Sequence, residues 1–334
     1  MERSKVTILD IANAARVSKS TVSRVLNNTT HVNEQKRRAV LAAMKRLNYK
    51  PNAVARSLAG GQSMTFGIVI QNIGSAFYDS VTQGIIQELS DTQYSPIIVD
   101  GRWDSEVEKS AILTLVDRNV DGFVIVGGNL MQAQYRQYIE DKPFVIIAKT
   151  ILGMEDRCIA IDNKRAAKKA TQHLIDFGHQ RIAHLMGLKN HVDAIARFEG
   201  YREALEESGI PFQPELVAEG DFSSPSGVLG AESLLLRGTR FSAIFCANDE
   251  MAYGARLSLY RRGIKVPEEV SLVGFDDQPV SAFATPPLTT VAQPAAQMGS
   301  NGAKLLLNML QRNDVKIDPL DVEVVVRESV KRLN

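Results

Sequence analysis

Apolar and polar positions alternate in two different ways along the 334-residue chain. In the first fifty residues the apolar side chains recur every three or four positions. Ile8, Ile11, Ala12 and Ala15 share one face of a predicted helix. Thr7 is its N-cap, and Asp10 sets a carboxylate at the positive end of the helix dipole. Ser18 caps a second short helix, Lys19 to Leu26, with Val22, Val25 and Leu26 inward and Lys19, Ser20, Ser23 and Arg24 outward. Two short helices joined by so tight a turn predict a helix-turn-helix. A third helix is predicted from about Asn33 to Leu47, with Val40, Met44 and Leu47 as its apolar stripe. Pro51 blocks its continuation, Asn52 can cap a further short helix, and Gly60-Gly61 ends that piece. A helix this short orders only against a partner.

From Met64 the texture changes to short apolar runs separated by amphipathic stretches. Phe66–Ile70, Pro96–Asp100, Gly122–Val126 and Phe144–Ile147 are predicted strands. Helices are predicted around Tyr78–Leu89, at 105–118, and between the last two strands. The pattern restarts with strands at Arg181–Met186, Leu216–Glu219, Ala243–Cys246 and Val270–Val273, and helices at Asp193–Ser208, 226–236 and 251–261. Alternation of this kind means parallel sheets, and its repetition predicts two doubly wound lobes. The expected fold class is therefore an N-terminal all-α helix-turn-helix head on an α/β body. Ligands of such sheets sit beyond the carboxyl ends of the strands, so two facing lobes would enclose one ligand.

Charge sharpens the division. Residues 1–62 carry twelve basic and three acidic side chains, a net +9, so a chain of formal charge +1 leaves −8 for the remainder. A basic head on an acidic body points to nucleic acid. The outward hydroxyls and cations of the second helix suit a major groove, where side chains meet phosphates and base edges. Cys158 and Cys246 lie in apolar runs and are expected as reduced core residues of a cytoplasmic protein. No stretch has the length and apolarity of a membrane span, and the polar start has no secretory pattern. The five histidines show no zinc spacing, and no P-loop, G-x-S-x-G or strand-borne G-x-G-x-x-G is present. Nothing signals an enzyme, a metal or a cofactor; a transport-type binding module is disfavoured by the head.

The runs Thr7-Ile-Leu-Asp-Ile-Ala, Val17-Ser-Lys-Ser-Thr-Val-Ser-Arg-Val-Leu-Asn27, Leu47-Asn-Tyr-Lys-Pro-Asn52 and Ala55-Arg-Ser-Leu-Ala59 closely resemble the lactose/galactose repressor (LacI/GalR) family. The resemblance extends over essentially the whole chain. It implies a DNA-binding domain at 1–48, a hinge at 49–62, one lobe from 63–161 and 292–322, and the other from 162–291 and 323–334. It implies base reading by Lys19 and Ser20, with Arg24 at a base or its phosphate. Thr7, Ser18, Thr21, Ser23, Asn27 and His31 are implied backbone contacts, and Tyr49 and Asn52 belong to the same DNA-binding set. Capping and packing are competing roles for Thr7, Ser18, Thr21 and Asn27. Leu58, with Ala55 beside it, is the implied minor-groove wedge, which would bend the duplex at a central CG step. The implied partners are a pseudo-palindromic double-stranded DNA operator, a sugar-type effector and a second copy of the chain. The tail has no room for a leucine heptad helix, so a homodimer is expected rather than a tetramer.

For the effector the resemblance implies Arg197, Asn248 and Asp276 as polar contacts, with Phe77 and Phe222 as aromatic ones, for each of which ordinary core packing is the competing role. Asp249 and Asp277 are expected to be helix N-caps. Two departures stand out. Arg16 occupies the turn where the family has Gly; a left-handed Arg costs roughly 1 kcal/mol, so either the turn is slightly rearranged, the reading adopted, or Arg16 tolerates that conformation and gains a phosphate contact. Ala148-Lys149 stands where the family supplies Asn or Asp, often with Arg following, and Lys149 is expected to be a substitute contact. An anionic sugar or sugar phosphate would suit Lys149, as would a structural salt bridge; a neutral saccharide is the reading adopted, with sugar releasing the DNA. A purine- or phosphoprotein-dependent regulator of the same family is the alternative.

Overall fold

The computed structural model describes residues 6–26, 32–49, 62–311 and 317–333. The chain divides into two compact units, Met1–Thr65 with Asn119–Asp121, and Phe66–Arg118 with Gly122–Asn334.

The first unit opens with α1 (Ile8–Ala15), α2 (Lys19–Leu26) and α3 (Glu34–Arg46). Thr7 and Asp10 form a reciprocal capping box on α1. The Ser18 hydroxyl accepts from the Thr21 N–H at 3.2 Å, and Asn33 caps α3. Ile11, Ala12, Val22, Val25, Val40 and Ala43 make the buried core, as helical spacing demands. The expected rearranged turn is corrected: Arg16 holds the left-handed conformation itself, φ 52° and ψ 48°. It ends α1 with its N–H on the carbonyls of Ala12 and Asn13, while Val17 N–H also returns to Ala12. Closure of the helix end offsets the strain.

The second unit holds two sheets. The first has the order β2-β1-β3-β4-β5, from β1 (Thr65–Ile70), β2 (Ser95–Asp100), β3 (Gly122–Val126), β4 (Phe144–Ile147) and β5 (Cys158–Ile159). The second has the order β11-β10-β9-β8-β6-β7, from β6 (Ile182–Met186), β7 (Val217–Glu219), β8 (Ala243–Cys246), β9 (Ser271–Asp276), β10 (Thr289–Ala292) and β11 (Glu323–Val325). Apart from the antiparallel edge strand β11, the second sheet repeats the order of the first. Central strands β3, β4, β6 and β8 are buried at every residue, which is why they read as unbroken apolar runs.

Helices α4 (Ala76–Leu89), α5 (Ser105–Asp117) and α6 (Gln132–Ile139) follow strands of the first sheet. Helices α7 (Asn163–Asp176), α8 (Val192–Glu207), α9 (Ser224–Leu236) and α10 (Asp249–Arg261) accompany the second. The chain leaves the first sheet after β5, returns after β10 to place α11 (Ala295–Gln311) against α4, and crosses once more to reach β11. The α4–α11 contact is close enough to require glycine. A Cβ on Gly299 would stand 1.9 Å from the Val81 carbonyl oxygen, and one on Gly84 equally near that of Ala296. Cys158 is half-buried and Cys246 buried, both as free thiols. No helix among the described residues is long and apolar enough to cross a membrane.

Asp249 ties the second lobe together. Fully buried, it accepts from Gln278 N–H at 2.8 Å, Ser281 Oγ at 2.6 Å and Thr290 Oγ1 at 2.5 Å. The N-cap role expected of it on α10 falls instead to Asn248. Burial, with Asp276 nearby, pushes its carboxyl from 3.8 up to about 7. The folded chain then keeps a proton that the unfolded chain has released, so this group costs stability as pH rises from about 4 to about 7. Thermal melts at pH 5 and pH 8 check this: the loss of Tm between them will be smaller in Asp249→Asn than in the parent.

Candidate nucleic-acid interface and interlobe cleft

On α2, Val22 and Val25 point into the head. Lys19, Ser20 and Arg24 are exposed, and Ser23 is half-buried between them. At about 100° per residue these four span roughly 140° of the helix, one contiguous face. Ser18, at the helix start, shares hydrogen bonds with Ser20 at 2.8 Å and with Thr21 at 2.9 Å. The hydroxyls are thus pre-positioned and the cations project past them, a surface suited to phosphate and base-edge contact. Thr7 is exposed and Tyr49 half-buried against the head core. Asn27, His31, Asn52, Ala55 and Leu58 lie outside the described residues.

Between the two sheets of the body lies a cavity of about 170 Å³. Phe77, Arg197, Phe222, Asn248 and Asp276 all line it. Arg197 is its electrostatic centre. The guanidinium donates to Asn163 Oδ1 at 2.9 Å and to the Ala247 carbonyl at 2.5 Å. It stands 3.8 Å from Asp276 Oδ1 and stacks on Phe275 at 3.7 Å. Burial lowers its pKa from the ordinary value, and Asp276 opposes that shift. Asp276 also accepts from Gln293 Nε2 at 2.6 Å, yet burial still raises its carboxyl to about 6. Asn248 spends its oxygen on Met251 N–H and its amide on the Phe222 carbonyl, so it positions Phe222 as well as facing the cavity. Phe222 has a positive φ of 67°, and its ring fills the space that a Cβ on Gly187 would take, 2.2 Å away.

Lys149 is placed differently from expectation. It does not line this cavity; its ammonium donates to the carbonyls of Gly128 at 2.9 Å and Leu130 at 3.0 Å. Burial pushes its pKa down. Asp277 is not a helix cap either: it pairs with Arg327 at 2.7 Å. Sequence reasoning missed Tyr78, Trp103, His191, Asp193, Asp221 and Gln293, which also line the cleft. Trp103 from the first lobe meets the His191 ring of the second edge-on at 4.6 Å, and His191 meets Phe222 at 5.4 Å. The His191 Nδ1 accepts from the Asp193 N–H at 3.2 Å, and burial holds its pKa below the ordinary value. A neutral imidazole therefore offers Nε2–H. Its cap role, with an Asp two residues on, was the one available signal. Altogether the lining sets three carboxylates, Asp193, Asp221 and Asp276, against one guanidinium, between aromatic walls.

Residues 7–52 match the family model described as bacterial regulatory proteins, lacI family, and residues 171–330 that of a periplasmic binding protein-like domain. The chain is 33% identical to catabolite control protein A of Priestia megaterium over 98% of this chain and 99% of that one. It is 38% identical to the HTH-type transcriptional regulator GalR of Escherichia coli (strain K12), over 90% of this chain and 88% of that one. Its structure is similar to that of a lac repressor dimer bound to operator and the anti-inducer ONPF. That similarity has a TM-score of 0.87 at 30% identity and covers 98% of this chain and all of that one.

Removal of the guanidinium leaves Asp276 buried without its cation. Arg197→Met is expected to cost about 3 kcal/mol or more in urea unfolding, and Arg197→Met/Asp276→Asn to regain most of that loss. A loss in the double variant equal to the sum of the losses in Arg197→Met and Asp276→Asn would show that the pair is not coupled.

Proposed function

This chain belongs to the lacI family of bacterial regulatory proteins, and from that premise we propose that it represses carbohydrate-utilisation genes until a saccharide binds between its lobes. It is a sequence-specific DNA-binding regulator that works as a dimer, each protomer reading one half-site of a pseudo-palindrome through the Lys19–Arg24 face. Leu229 and Leu236 on α9 and Tyr260 on α10 are strongly exposed, and this apolar face supports pairing with a second copy. Leu58 is proposed as the minor-groove wedge. We place the protein in the cytoplasm, with its chromosomal operator, and read it as a regulator without catalytic activity.

The cleft lining carries the saccharide reading. Aromatic faces of Phe77, Trp103 and Phe222 suit the apolar faces of a sugar ring, and carboxylates accept hydroxyl protons while the guanidinium donates in a fork. Three carboxylates against one arginine disfavour a sugar phosphate, and Lys149 lies outside the cavity. A volume of about 170 Å³ is below the usual range for drug-sized ligands, roughly 300 Å³ and up, and fits a single sugar ring. Ligand contacts reach the crossings directly. Asn163, held by Arg197, follows the first crossing, and Gln293, held by Asp276, begins the second. A sugar that draws on these groups biases how the lobes sit and thereby the DNA-bound state, by no more than its difference in affinity for the two states.

Fluorescence anisotropy tests this with duplexes from upstream of the gene and its neighbours, beside scrambled duplexes, at about 0.15 M salt. A preference of roughly 10³ or more for one native duplex is expected. Lys19→Ala should lose about tenfold on that duplex and much less on the scrambled one. A neutral saccharide should release the native complex. Binding indifferent to sequence on every duplex, or release only by sugar phosphates, would contradict the proposal.

A further inference from the structure

Beside the inner cavity lies a second one of about 440 Å³, lined by residues 127–132, 148–152 and 190–192. The two share three residues, Gly127, Ala148 and His191. Two of these have little or no side chain; His191 supplies the third, with Trp103 resting on its ring and close to Gly127. Ala148 stands there with φ 61° at the carboxyl end of β4, its N–H held by the Ile159 carbonyl at 2.8 Å. Ala148 lines both cavities, so a longer side chain there alters their junction.

The outer groove is built to be stable without a ligand. Lys149 pins the loop that forms its wall through the Gly128 and Leu130 carbonyls. Behind that loop the buried Glu108 accepts from Asn129 N–H and from Tyr135 Oη, both at 2.7 Å. Its lining mixes amides and hydroxyls (Asn129, Gln132, Thr150, Asn190) with exposed apolar side chains, Met131 and Leu152. It carries no carboxylate. This polar and apolar mixture without acid suits a neutral ring carrying hydroxyls. It is poorly matched to a cation, and its one ammonium already serves two carbonyls.

We propose that the effector is a disaccharide, one ring in the inner cavity among Arg197, Asp276 and Phe222, the second passing over Ala148 into the groove of Lys149, Thr150 and Asn190. This rests on the saccharide reading of the inner cavity. His191, which lines both cavities, then stands at the glycosidic link, and Ala148 is the residue that decides between one ring and two.

Calorimetric titration of the full-length protein with matched sugars tests this, using glucose beside maltose and cellobiose, and galactose beside lactose and melibiose. At least one disaccharide should bind roughly tenfold or more tightly than its constituent ring. Ala148→Asn should erase that advantage, since Asn tolerates a left-handed backbone better than most residues. Thr150→Tyr, at an exposed position that lines only the outer groove, should also erase it while keeping the monosaccharide affinity within about twofold. Monosaccharide binding as tight as that of every disaccharide would overturn the inference and leave the saccharide reading standing. So would a disaccharide advantage that survives both variants. Failure of every sugar in the panel to bind would overturn both.

Discussion

A guanidinium only 5% exposed must be compensated where it lies, and the body of this protein is arranged around that requirement at Arg197. Removing such a charge from water costs several kcal/mol unless hydrogen bonds and an opposite charge offset it. The partners come from separate elements: the Ala247 carbonyl just after β8, the Phe275 ring and Asp276 on β9, and Asn163 at the start of α7. Each is held at the carboxyl end of a strand or at a helix start. The charge therefore fixes the floor of the cleft at the place where doubly wound sheets bind ligands. Asp276 and Asp249 remain hard to ionise, at about 6 and about 7, because they share this desolvated ground.

The same contacts give the cleft a route to the chain crossings. Gln293 and Asn163 lie at two of them, and both bond to the groups that a ligand would touch. Opposite them the first lobe contributes Phe77, Tyr78 and Trp103, with Trp103 resting on His191 of the second. A ligand seated between these walls changes contacts in both lobes at once. That is the condition for selecting one lobe arrangement over another.

Much of the fold was legible because its strongest signals are local. The caps Thr7 and Ser18, the buried runs of β3, β4 and β8, and the restart of the strand–helix pattern depend on near neighbours and on burial at both sheet faces. Helices α7 and α11 were not legible. Their buried faces carry few large apolar residues, Leu174 on one and Met298 and Leu306 on the other, among small ones such as Ala166, Ala167 and Ala170, and Gly299, Gly302 and Ala303, that close helix packing demands. The cleft was half legible. Asn248 and Asp276 follow apolar strands and Arg197 sits in a recognisable run, but Trp103, Asp193 and Gln293 reach the cavity from loops and crossings whose position only tertiary structure fixes. Lys149 stands outside the inner cavity because its ammonium serves two loop carbonyls, which adjacency in sequence to the cleft did not reveal. Arg16 adopts the strained turn because the backbone closure around it outweighs a local penalty.

A saccharide that releases the operator couples occupancy of the cleft energetically to occupancy of the DNA surface. The most direct measurement is a paired titration: operator affinity with and without saturating saccharide, and saccharide affinity of the free and the operator-bound protein. The account predicts the same factor in both directions, at least about fivefold, with saccharide weakening DNA binding and DNA weakening saccharide binding. Saccharide bound with one affinity whether or not the operator is present would contradict it.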